Sequence, residues 1–148
     1  MDIDVEKIVK DAEYHYDKGG LLCSESIIKA FNDNLNMGLS DMEISMASGF
    51  PVGVGKSKCL CGAVSGGSMI ISAFFGRTEG NGPNDPVVLN CLELNNEMIG
   101  KFKERNKVTC CSVLTSGFKN NVFGHKKQCM RFTTEVARDV AEILAREL

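Results

Sequence analysis

Cys61-Gly62-Ala63-Val64-Ser65-Gly66-Gly67-Ser68-Met69-Ile70-Ile71-Ser72-Ala73-Phe74-Phe75 is the stretch on which the fold turns. It carries no alternation of apolar and polar residues, so it predicts a helix over 61–75, closed by Gly76. Gly62, Gly66 and Gly67 oppose that helix, because each interior glycine costs about 1 kcal/mol against alanine. Close approach is the usual compensation. Gly62 and Gly66 lie four apart on one face, beside Ala63. That face admits either another helix backbone or a cofactor next to Cys61.

Working outward, the remaining pattern is helical too. Val5, Ile8, Val9, Ala12 and Tyr16 mark one face of a first helix, stopped by Gly19-Gly20. Cys23, Ile27, Ile28, Phe31 and Leu35 mark a second, ended by Gly38. Ser40-Asp41-Met42-Glu43 is a capping box for a short third helix through about Ala47. Residues 49–60 read as a loop. Asp85-Pro86 opens another helix, with Asp at N-cap and Pro at N1, and directs Val88, Cys91, Leu92, Met98, Ile99 and Phe102 inward. Residues 106–128 read as irregular, with a helical turn after Cys111. The last helix is expected from about Cys129, with Phe132, Val136, Val140, Ile143 and Leu144 inward. The sequence predicts one all-α domain over residues 1–148, a compact bundle of about five to six helices.

Bulk properties narrow the function. The chain is 43% hydrophobic and 24% charged, as globular domains are, and its net charge of -2 gives no electrostatic basis for nucleic acid. No segment approaches the roughly 18 apolar residues of a membrane span. Met1-Asp2-Ile3-Asp4 is acidic where a signal peptide would be basic. The expected location is the cytoplasm, where a reducing environment disfavours structural disulfides. Seven cysteines in such a chain point to metal binding or redox chemistry, against the plainer role of buried thiols as small hydrophobes.

Four of the seven, Cys23, Cys61, Cys111 and Cys129, fall at expected helix starts. Unpaired N–H groups and the helix dipole favour thiolate there. Cys59 forms a C-x-C pair with Cys61, a weak chelation signal, and is otherwise a resolving or exposed thiol. Cys110 and Cys111 are adjacent, with Cα atoms about 3.8 Å apart. That is below the roughly 4.4–6.8 Å usual for a disulfide, so one of the two is expected to face the site. Cys91 lies on an apolar helix face and reads as core.

This arrangement resembles the C_GCAxxG_C_C family, whose members are described as redox-active. Cys61-Gly62-Ala63-Val64-Ser65-Gly66 matches the central motif. Cys23 in Leu22-Cys23-Ser24-Glu25-Ser26-Ile27 matches the first cysteine. Cys111, with Leu114 three later and Phe102-Lys103-Glu104-Arg105 before it, resembles the third, and Cys129 the fourth. The resemblance covers nearly the whole chain. It implies an all-α fold and a redox role for these four cysteines; the small residues Gly62, Ala63, Gly66 and Gly67 are expected around a cofactor on the separate ground of close approach.

Four readings of the site stay open. Thiolates of Cys23, Cys61, Cys111 and Cys129, with Cys59 or Cys110 as substitutes, can ligate an iron–sulfur or related iron centre for electron transfer to a partner protein. A cofactor-free thiol–disulfide couple would use Cys61 as the attacking thiol, although the chain has no C-x-x-C. Structural zinc ranks lower, because close cysteine pairs are scarce. The last is a helical core with buried thiols. No C-x-x-C-H is present, so covalent haem is not expected. Homo-oligomerisation is left open.

Other motifs carry less. Gly53-Val54-Gly55-Lys56-Ser57 imitates the end of a phosphate-binding loop, but Phe50 stands where its first glycine belongs. Lys56 and Lys58 read better as charges that help neutralise thiolates. His15 reads as packed or solvated, Glu25 as a solvated first-turn acid, and the methionines as filler; His125, four before Cys129, is either a solvated loop group or an assistant to the site.

Overall fold

A computed structural model describes residues 1–118 and 120–148; position 119, inside the expected irregular segment, lies outside the described residues. Among the described residues there are seven right-handed α-helices, against the five to six expected. They are α1 (Val5–Asp17), α2 (Cys23–Leu35), α3 (Asp41–Ser45), α4 (Gly62–Phe75), α5 (Pro86–Asn106), α6 (Cys111–Leu114) and α7 (Val122–Glu147). Short 3-10 turns lie at Met46–Gly49 and Ser116–Phe118. No strand occurs among the described residues, and no helix is long and apolar enough to cross a membrane.

Local chemistry sets most boundaries as expected. Asp4 accepts from Lys7 N–H to start α1, and Asp85 accepts from Val87 N–H ahead of Pro86 to start α5. Ser40 and Glu43 close the capping box of α3, which stops at Ser45 and tightens into the 3-10 turn. Asn36, left-handed at φ 49, ends α2 before Gly38 is reached. Leu92 points to solvent and Leu94 takes the buried place one helical turn before Met98.

The largest departure is α7, which begins at Val122. Asn121 caps it by accepting from Gly124 N–H. Its first turns carry exposed Val122 and Phe123 and the solvated Lys126-Lys127, so no apolar face marks them in the sequence. Cys129 therefore sits two turns inside a helix.

The helix α4 is central, packed by α2, α5 and α7, while α1 lies across α2 and α7. Its glycines explain the arrangement. A methyl group on Gly66 would fall 2.9 Å from Ser24 Cα, and one on Gly67 would fall 2.6 Å from Val136 Cγ1. The two positions let α2 and α7 approach from different sides. Ile8, Phe31, Ile70, Ile71, Met98 and Val136 fill the interior, and Phe102 meets Phe132 edge-on with centroids 5.4 Å apart. Arg105 of α5 bonds Glu135 at 3.1 Å and the buried Asp139, fixing α5 against α7.

The expected loop at 49–60 has a definite form. Pro51–Val54 closes a helical turn, but Val52, Gly53, Val54, Gly55 and Lys56 all have φ between 55 and 68, a left-handed run. No strand precedes it among the described residues, where a phosphate-binding loop would follow one. Glycine tolerates such values freely; valine does not.

Candidate functional site

Cys23, Cys61, Cys111 and Cys129 line one cavity of about 180 Å3, although four separate elements carry them. Cys23 is the first residue of α2. Glu25 secures that helix start by accepting from Leu22 N–H at 3.0 Å, and it also accepts from Ser48 Oγ at 3.0 Å. Ser24 Oγ donates to Ala47 O at 2.8 Å, joining the same helix to the 3-10 turn. Glu25 thus positions Cys23, where the sequence suggested only a solvated acid.

Cys61 is the N-cap of α4, and its N–H donates to Thr109 O at 2.9 Å. This ties α4 to the segment leading into Cys111, the first residue of α6. Cys129 reaches the cavity from two turns inside α7, where Thr133 Oγ1 donates to its carbonyl oxygen at 2.8 Å.

Gly62 and Ala63 belong to the cavity wall. A methyl group on Gly62 would overlap Cys23 Sγ, so the absent side chain is the space that sulfur occupies. Gly66 and Gly67 are not part of the wall; the helix contacts described above account for them. Of the four small residues expected around a cofactor, two face the site.

The vicinal pair divides cleanly. Cys111 is 7% exposed and faces the cavity. Cys110 turns outward, where its Sγ lies 3.2 Å from Cys59 Sγ. The contact raises the Cys59 pKa. Neither Cys59 nor Cys110 lines the cavity. Cys91 is buried in the core, as expected, near Ser72 and Asn95.

Burial overrides the expected preference for thiolate. It pushes Cys23 up to about 12, with the neighbouring Cys61 thiol adding to the rise. It pushes Cys129 up to about 11, with Cys61 and Cys111 adding, while Tyr16 and Lys58 pull the other way. Cys61 also rises through burial, although the N–H groups of Ala63 and Val64 oppose it. The helix-start groups therefore act in the direction the sequence implies, but desolvation is larger. As free thiols these three hold their protons at neutral pH.

Tyr16 is the site residue that the sequence did not reveal. The periodicity places it on an apolar helix face, yet its phenol shares the cavity with Cys129 and Cys23. Burial, followed by those two thiols, raises its pKa. Its polar tip at the end of α1 was the available signal. His125 also lines the cavity, stacked on Phe118 with centroids 6.3 Å apart. His15 instead pairs with Asp33 at 3.5 Å. Leu22, Pro51, Val52, Leu114 and Phe132 make the remaining wall largely apolar.

The donor set is all sulfur and suits a soft metal centre. Among the described residues, no three Cys, His, Asp or Glu side chains are gathered closely enough to share one ion.

A family model described as "Putative redox-active protein (C_GCAxxG_C_C)" matches residues 21–143. No match was found among curated proteins or among solved structures.

Proposed function

The chain belongs to the C_GCAxxG_C_C family, and from that premise we propose that it is an electron-transfer protein in which Cys23, Cys61, Cys111 and Cys129 ligate an iron–sulfur centre. One observation carries the reading: four thiols from α2, α4, α6 and α7 line a single cavity. Cysteine ligation of a cluster requires such convergence.

A lone zinc is the less favoured reading, because the chain has no C-x-x-C pair and Cys59, the C-x-C partner of Cys61, does not line the cavity. Once bound, the centre would accept and release single electrons.

The protein's own contribution is orientation and exclusion of water. Gly62 leaves room for the Cys23 sulfur, and Glu25 holds the helix start beneath it. Phe132, Leu114 and Val52 present apolar surface, which limits solvent access and so helps set a redox potential. Tyr16 places a hydroxyl near the Cys129 sulfur, a contact of the kind that tunes ligand basicity.

The test is anaerobic reconstitution with iron and sulfide. Expected are bound iron with acid-labile sulfide and a visible absorption that bleaches on reduction, all strongly diminished in Cys61→Ser and Cys23→Ser. Stoichiometric zinc without redox response, or an unchanged Cys61→Ser spectrum, would overturn the reading.

A further inference from the structure

Three thiols, Cys59, Cys91 and Cys110, lie outside both the cavity and the four-cysteine pattern; Cys91 is core, and the other two meet each other. Cys59 is exposed and Cys110 half-buried, and their sulfurs are 3.2 Å apart although 51 positions separate them in the chain. We propose that Cys59 and Cys110 form a surface dithiol–disulfide couple that exchanges with low-molecular-weight disulfides of the glutathione type.

The backbone keeps this pair in register. Cys61 N–H donates to Thr109 O at 2.9 Å, and Ser112 N–H donates to Lys58 O at 3.0 Å. These two bonds bracket Cys59 and Cys110, joining their segments on both sides of the sulfurs. A disulfide has an S–S bond of about 2.05 Å, so each sulfur need move by only about half an ångström. The competing partners are less suited. Cys61 and Cys111 are each 7% exposed, and a Cys110–Cys111 bridge meets the geometric strain of adjacent residues.

The exchange balances without a metal. The Cys59 sulfur attacks one sulfur of the small disulfide, whose S–S bond breaks and expels one thiolate. The Cys110 sulfur then attacks Cys59 in the mixed disulfide and expels the second. One protein S–S bond has formed, one small-molecule S–S bond has been reduced, and the two protons leave on two small thiols. Exposure of Cys59 gives the incoming disulfide access.

The experiment equilibrates the full-length protein in reduced and oxidised glutathione at several ratios, alkylates the remaining thiols and digests with trypsin. The expected product joins peptides 59–77 and 108–119, lacks two hydrogen atoms, follows the glutathione ratio and disappears on reduction. It should be lost in both Cys59→Ser and Cys110→Ser and kept in Cys61→Ser and Cys111→Ser. Persistence of the cross-link in Cys59→Ser would overturn the proposal. So would glutathione adducts or intermolecular dimers in its place. The readout is a peptide mass, so it stands or falls independently of iron loading in the cavity.

Discussion

Gly62 shows how a single missing side chain decides the chemistry beside it. The Cys23 sulfur occupies the volume that a methyl group would take. Gly62→Ala is expected to destabilise the fold by about 1–3 kcal/mol, the usual cost of overpacking, and also to lower iron uptake on reconstitution. Gly66→Ala should show a similar loss in urea, because Ser24 backbone stands 2.9 Å away, while the remaining folded fraction takes up iron normally. Measuring urea midpoint and iron per chain in both variants separates space for sulfur from space for a helix. A second expectation follows from Cys23 and Cys129, pushed up to about 12 and about 11. Their folded values exceed the unfolded value of about 8.5. In metal-free protein their contribution is fully present below that unfolded value and is lost as pH rises toward the folded values. The urea midpoint should therefore be lower at about pH 10.5 than at about pH 8, with a smaller drop in Cys23→Ser. At this scale the sequence singled out the four sulfurs that share the cavity but not their protonation, since helix position is local information and desolvation depends on the finished fold.

Among the elements, the left-handed run at 52–56 stands farthest from ordinary chain geometry. An L-residue pays about 1–2 kcal/mol there, whereas glycine's entropic cost is about 0.5–1 kcal/mol. Val54 is exposed with φ 55, so Val54→Gly should raise stability by about 0.5–1 kcal/mol in chemical denaturation. A loss of comparable size would show that the valine side chain contributes more than its backbone costs. Helix starts were readable wherever a cap preceded an apolar face, as at Ser40 and Asp85. The start of α7 was not, because Asn121 precedes turns whose apolar residues, Val122 and Phe123, are exposed. Periodicity reports burial, and a helix that begins in solvent has none to report.

Across the whole molecule, the all-α class and the four family cysteines were readable from pattern and resemblance. The Cys59–Cys110 pair and the place of Tyr16 were not, since both arise from segments distant in sequence that meet only on folding. Oxidising Cys59 and Cys110 would close a long loop, and a cross-link of that span stabilises by about 2–4 kcal/mol. Calorimetry should accordingly show the oxidised protein melting several degrees above the reduced one, with no such gap in Cys59→Ser. The cavity has a different kind of reach. Its four sulfurs come from α2, the N-cap of α4, α6 and α7, so no single helix contains the proposed binding site. Affinity and folding are then linked quantities: a centre that binds only the assembled chain adds its binding free energy to the fold's own. On the proposed reading, a lesion far from any sulfur would weaken loading by the factor by which it lowers the folded fraction.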